Sequence, residues 1–242
     1  MGKSAIEWTE ETWNPITGCE KVSPGCDNCY AERVALNLMA RGSARYEQGF
    51  TPTIHDDLIE KPLRWQKPRV VFVCSMSDLF QPVVPDATIH RVFDVMEEAS
   101  AHTFQVLTKR PQRMASLLNG RGWVEPHIWV GTSIESNRYK FRADHLRLVN
   151  AKVRFLSCEP LLGPIPNLDL KDIGWVIVGG ESGPEARPMD PLWVVNLRDR
   201  CVEEEIPFFF KQWGEFNQHG KRVGRKKAGK ELGGRTWLEM PT

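Results

Sequence analysis

The sequence predicts an α/β fold: a parallel (β/α) barrel, partial or complete, with a short C-terminal appendage. Three observations predict it. Short apolar runs are nearly continuous rather than alternating, as in strands buried on both faces. Helical patterns separate these runs, and strand–helix repetition implies parallel pairing through right-handed crossovers. The 242 residues show no internal repeat or linker and suit one barrel-sized domain.

The elements follow in order. A first strand is expected within residues 7–16. Residues 30–40 (YAERVALNLMA) read as a strong helix directly after Cys29. Strands are expected at 70–74 (VVFVC), 104–107 (FQVL), 128–131 (IWVG), 153–157 (VRFLS), 175–179 (WVIVG) and 207–210 (PFFF). After Pro85 and Asp86, the apolar positions Ile89, Val92, Phe93, Met96 and Ala99 recur at three- and four-residue steps, the period of a helix face. Met114, Leu117 and Leu118 mark a shorter helix that closes near Asn119 and Gly120. Tyr139, Ala143, Leu146 and Val149 mark another, and Val194, Leu197, Cys201 and Val202 the last. Residues 1–213 form the barrel domain in this reading. Residues 214–242, rich in Gly and Lys, form the appendage.

Composition narrows the function classes. Charged residues make up 26% of the chain and the net charge is +1, so no global field draws it to nucleic acid or acidic membranes. No apolar run reaches the length of a bilayer span, and the polar N-terminus lacks a secretory pattern. A cytoplasmic location with no membrane partner is expected. In that compartment six cysteines argue for metal binding or chemistry rather than a disulfide framework.

The cysteines are clustered. Residues 12–30 read TWNPITGCEKVSPGCDNCY, which spaces Cys19, Cys26 and Cys29 as C-x6-C-x2-C. Three thiolates on a Gly- and Pro-rich loop can ligate three irons of a [4Fe–4S] cluster and leave the fourth open to an exogenous ligand. Cys29 also opens a helix, whose N-terminus favours a thiolate. Two alternatives stand beside this reading. A structural zinc would need a fourth ligand such as His55 brought in by the fold. The cysteines can also be unligated.

Several segments together carry a resemblance. The run TWNPITGCEKVSPGCDNCYAER, then LTKRPQRM, WVGTSIES, LSCEPLLGPI, WVIVGGESGPEARPM and PFFFKQWG resemble a phage- and prophage-associated family of unknown function. The resemblance runs from Ile6 to about Gly214. That family is in turn similar to radical S-adenosylmethionine enzymes and, more loosely, to the spore photoproduct lyase branch. It implies a radical-S-adenosylmethionine-type barrel, a [4Fe–4S] cluster and S-adenosylmethionine as cofactors, and an electron donor such as flavodoxin or ferredoxin. Two features depart from the usual pattern. The first cysteine gap is six rather than three, and residues 74–78 (CSMSD) stand where a Gly-Gly-Glu normally follows the second strand.

Parallel strands deliver their C-terminal residues to one mouth, and the resemblance suggests roles for them. Ser75, Ser77 and Asp78 would hold the methionine amino group; capping of the next turn is the alternative for Asp78. Lys109, with Arg110, suits a carboxylate or phosphate; an ion pair with Glu159 or Glu181 is the alternative. Ser133 and Glu135 match a ribose. Gly179, Gly180 and Glu181 resemble the late-strand motif that contacts adenine, and Arg187 follows as an anion ligand. Cys74 and Cys158 are candidate hydrogen-atom donors, with small buried residues as the simpler reading. Cys201 lies on an apolar helix face and belongs to the core. Trp213 stacks on a base or closes the barrel.

The run Lys221, Arg222, Arg225, Lys226, Lys227 and Lys230 contains no acid and can track phosphates, or be a solvated tail. With the lyase resemblance it makes nucleic acid or a nucleotide a candidate substrate. Three function classes therefore stand: a radical enzyme, a zinc-stabilised nucleic-acid-binding module, and an iron–sulfur redox or sensor protein.

Overall fold

The computed structural model describes Ser4 and residues 6–242, so the start of the polar N-terminal stretch lies outside the described residues. One sheet of seven parallel strands organises the chain: β1 (Glu11–Trp13), β2 (Val70–Val73), β3 (Thr103–Thr108), β4 (Ile128–Ser133), β5 (Arg154–Cys158), β6 (Trp175–Gly179) and β7 (Phe208–Gln212). The strands lie side by side in chain order, and β1 does not pair with β7. Right-handed crossovers that always advance in one direction put every connection on the same face. The sheet therefore curls into a partial barrel that stays open between its first and last strands.

The first helix, α1 (Tyr30–Ala40), lies at the strand ends, where Tyr30 donates to the Ser75 carbonyl (2.6 Å) and Arg33 to the Ser182 carbonyl (3.1 Å). Four others pack on the outer face: α2 (Asp86–Glu98), α3 (Pro111–Asn119), α4 (Phe141–Arg147) and α5 (Pro191–Glu203). Their ends follow local chemistry. Pro111 and Pro191 open α3 and α5, where the missing N–H costs nothing. Asp190 caps α5 by accepting from the Leu192 N–H (2.8 Å). The apolar stripe of α2, Ile89, Val92, Phe93 and Met96, is buried as its period requires.

Strand residues divide cleanly between the two faces. Val71, Val73, Phe104, Val106, Ile128, Val130, Leu156, Val176, Val178, Phe208 and Phe210 point outward into the helix-facing core. Phe72, Phe155, Trp175, Ile177 and Phe209 point inward with Trp8, and Leu107, Trp129 and Met240 pack against them. This inner cluster fills the barrel below its mouth. The Phe155 ring occupies the space beside Gly131, where a Cβ would lie 2.6 Å from ring atoms. The chain's two end segments complete the floor. Gln105 Nε2 donates to the Trp8 carbonyl (3.1 Å), and Trp175 Nε1 donates to the Glu239 carbonyl (2.8 Å). Leu232 and Trp237 are buried, and the Phe210 N–H donates to the Trp237 carbonyl (2.9 Å). No helix among the described residues is long and apolar enough to cross a membrane.

Candidate functional site

After β1 the chain forms a loop that passes over the C-terminal ends of the strands and enters α1. Gly18 fixes where it starts. Its N–H donates to the Met76 carbonyl (2.9 Å), and its own carbonyl accepts from Ser77 Oγ (2.6 Å) and Gln81 Nε2 (2.9 Å). Its φ is +78°, and a Cβ there would sit 2.3 Å from the Thr51 carbonyl oxygen, so only glycine fits. Cys19 follows, with its N–H on the Phe50 carbonyl (3.2 Å). Cys26 ends the tight turn Pro24–Cys26, and Cys29 occupies the N-cap of α1. All three thiols are free and half-buried.

Two cations from the end of β3 meet this loop. Lys109 Nζ lies 3.5 Å from Cys26 Sγ, and Arg110 Nη1 lies 3.9 Å from Cys19 Sγ. Burial pushes the Cys26 thiol up, but the Lys109 charge and neighbouring N–H groups overcome it and hold the thiol below its ordinary value. Cys19 goes the other way. Burial and the Asp78 charge push it up to about 11 against the pull of Arg110.

Each cation also meets a buried carboxylate. Glu135, 1% exposed, accepts from Lys109 Nζ (2.8 Å) and Ser23 Oγ (2.6 Å) on one oxygen and from Arg142 Nη1 (2.9 Å) on the other. Asp78 accepts from Thr108 Oγ1 (2.7 Å), the Phe80 and Lys109 N–H groups (2.9 and 3.0 Å) and Arg110 Nη1 (2.9 Å). The ion pairs of Lys109 and Arg110 are thus with Glu135 and Asp78, not with Glu159 or Glu181.

At the end of β6, Glu181 accepts from Arg187 through Nη2 (2.6 Å), Nε (2.9 Å) and the backbone N–H (2.9 Å), and from Asn28 Nδ2 (3.1 Å). Arg187 reaches on to the Pro24 carbonyl (2.8 Å) and to Asp27 (3.4 Å). Asn28 also donates to the Glu185 carbonyl (2.7 Å). Beside them Lys211 Nζ pairs with Glu159 Oε1 (3.1 Å). Burial raises the Glu181 carboxyl and its hydrogen bonds from Arg187 more than reverse this, leaving it below its ordinary value.

The remaining expected residues divide into groups. Ser75 Oγ donates to Asn14 Oδ1 (3.2 Å), and its carbonyl accepts from the Tyr30 hydroxyl (2.6 Å). Ser77 secures Gly18. Ser133 presents its carbonyl to Arg142 (2.8 Å). A Cβ at Gly179 would meet Glu159 Oε1 at 2.6 Å, and one at Gly180 would meet the Trp213 carbonyl oxygen at 2.0 Å. Cys74 and Cys158, 2% and 0% exposed, lie in the helix-facing core, where burial pushes both thiols up. Trp213 is buried against Phe210 (4.9 Å between centroids) and donates Nε1–H to the Glu231 carbonyl (2.8 Å). Sequence reasoning missed Ser23, Asn28 and Arg142. Ser23 and Asn28 were legible only as loop polarity, and Arg142 only as a charge on an apolar helix face.

Among the described residues, no three His, Cys, Asp or Glu side chains converge on one point. A single zinc ion needs four donors about 2.3 Å or less from its centre. A four-iron cluster instead takes one thiolate per iron. Three soft thiols on one loop, two of them beside cations, are donors of the kind such a cluster takes. His55 hydrogen-bonds to Thr17 Oγ1 through Nε2 (2.8 Å).

Comparison with known proteins adds a family. A family model described as a protein of unknown function (DUF5131) matches residues 3–241. The chain belongs to this family. No curated protein matched the DUF5131 chain. Solved structures of spore photoproduct lyase are similar to it at 14% identity. One, with bound AdoMet and dinucleoside spore photoproduct, gives a TM-score of 0.44 over 68% of this chain and 54% of that one. Another, complexed with dinucleoside spore photoproduct, gives 0.46 over 85% and 63%. The DUF5131 chain therefore spans between 54% and 63% of the length of those lyase chains.

Proposed function

We propose that Cys19, Cys26 and Cys29 hold a [4Fe–4S] cluster and that the protein is a radical S-adenosylmethionine enzyme. One observation carries this reading. A loop with three half-buried thiols lies over the mouth of a parallel half-barrel, with Lys109 and Arg110 beside Cys26 and Cys19. Bound there, the cluster and S-adenosylmethionine would supply one-electron radical chemistry that abstracts hydrogen from a substrate.

The chain's own residues do the rest. Lys109 and Arg110 offset the negative charge of the thiolates. Glu135 and Asp78 keep those two cations in place, because a buried cation without a counter-charge is costly. The Ser133 hydroxyl and the Glu159–Lys211 pair carry polar capacity to the mouth for the cofactor's ribose and methionine ends. The aromatic floor of Phe155 and Trp175 closes the barrel from below and keeps water from entering that way. Reducing equivalents come from a small electron carrier of the flavodoxin or ferredoxin kind.

Metal analysis tests the first half of this reading. After anaerobic reconstitution, the wild type is expected to hold about four irons and four sulfides per chain. Cys19→Ala, Cys26→Ala and Cys29→Ala should each lose most of that content. A colourless protein with one zinc per chain would refute the cluster and favour a structural module.

A further inference from the structure

Two of the buried carboxylates at the strand ends make contacts that a cofactor-binding role does not explain. Both meet the cysteine loop directly. Before Cys26, Ser23 Oγ donates to Glu135 Oε1 (2.6 Å), and Gly25 packs so closely that a Cβ there would lie 2.5 Å from Glu135 Cγ. After Cys26, Asn28 Nδ2 donates to Glu181 Oε2 (3.1 Å), and Arg187 links the same carboxylate to Asp27 and back to the Pro24 carbonyl. The anchors come from the ends of β4 and β6. The first part of the loop is held separately, by Gly18 against the residues after β2, by the Cys19 N–H on the Phe50 carbonyl (3.2 Å) and by Arg110 Nη2 on the Glu20 carbonyl (3.1 Å).

The acceptor capacity of these carboxylates is largely taken up. Glu135 receives Lys109, Ser23 and Arg142; Glu181 receives Asn28 and three N–H groups of Arg187. Glu135 and Glu181 are 1% and 6% exposed. A ribose or adenine at either carboxylate would compete with charge-assisted hydrogen bonds, the strong kind. Buried carboxylates saturated in this way rigidify their surroundings.

We propose that Glu135 and Glu181 are positioning residues: paired latches that pin the Cys26 segment over the half-barrel, so that the loop bearing the thiols keeps its place before any metal arrives. This deepens the cluster reading and rests on it for its purpose, but the latching itself is a property of the metal-free chain.

The test works from the loop side, leaving both carboxylates and their cations intact. Ser23→Ala removes one latch contact, Asn28→Ala the other, and Ser23→Thr keeps the hydroxyl. Hydrogen exchange is followed on the metal-free chain by mass spectrometry. Iron content after anaerobic reconstitution, and the KM for S-adenosylmethionine of the loaded fraction, are measured alongside. In the double variant Ser23→Ala/Asn28→Ala, exchange over residues 19–29 should rise about tenfold or more while the sheet amides keep their protection. Iron loading should fall below about half of wild type, with KM for the loaded fraction unchanged. Ser23→Thr should restore exchange on its side of the loop. Unchanged exchange over residues 19–29, or full loading with a raised KM as the sole effect, would overturn the proposal. If the wild type takes up no cluster, the enzyme reading fails, and the exchange comparison still decides whether the latches exist.

Discussion

A side chain at Gly180 would collide with the chain's own backbone, because its Cβ would fall 2.0 Å from the Trp213 carbonyl oxygen. Neither backbone can retreat cheaply: Gly180 follows β6 with its N–H on the Gln212 carbonyl (2.9 Å). Gly180→Ala is expected to cost about 2–3 kcal/mol, measured by urea denaturation. A loss under about 0.5 kcal/mol would contradict the close approach. Ionisable residues add a pH dependence. Burial opposes ionisation of Glu135 and Glu181, but Lys109 and Arg142 around the first, and Arg187 around the second, hold both carboxyls below their ordinary values. The folded chain therefore takes up these protons less readily than the unfolded chain. The stability they contribute is complete above the ordinary value of 4.5 and is lost as pH falls through the lowered folded values. Urea midpoints followed downward from about pH 6 should fall with acid, and Glu181→Gln should flatten that slope. An unchanged slope in the variant would remove Glu181 as a contributor.

At the scale of elements, the strands were legible because they are buried on both faces and read as unbroken apolar runs. Trp175–Gly179 (β6) was bounded in the sequence as it stands in the structure. The helix after Cys29 was equally clear, from its composition alone. What a single sequence could not show is which face each strand residue takes, since both faces are apolar. That division matters: Trp175 points into the barrel, within 5.6 to 6.2 Å of Phe155, Trp129, Phe209 and Trp8 by ring centroids. Trp175→Ala is expected to cost about 3–5 kcal/mol, whereas an exposed tryptophan such as Trp123 should cost almost nothing when changed to Ala. Equal losses at the two positions would mean the inner cluster is not a packed floor. The partners at the mouth were illegible for a related reason. Ser23 and Glu135 lie 112 residues apart in the chain, and no local pattern announces their hydrogen bond. The three cysteines were legible because their spacing is local. Lys109 and Arg110 were legible as charges at a strand end, but their partners Glu135 and Asp78 were not.

The whole molecule is an open half-barrel with a plugged floor, a charged mouth and a thiol-bearing loop held across that mouth. Its sheet order places the ends of β2, β3, β4 and β6 around one loop, which is how residues from Cys19 to Arg187 come to share a site. The mouth is where a cofactor meets a substrate in a barrel of parallel strands. Against burial, the Lys109 charge there holds the Cys26 thiol below its ordinary value, toward the thiolate that binds iron. The most direct test of this account is reductive cleavage of S-adenosylmethionine. The reconstituted protein is reduced anaerobically, S-adenosylmethionine is added, and 5′-deoxyadenosine is measured by chromatography. The account predicts 5′-deoxyadenosine from the wild type and its loss, by about a hundredfold or more, in Cys19→Ala, Cys26→Ala and Cys29→Ala. Equal background levels from the wild type and all three variants would contradict it.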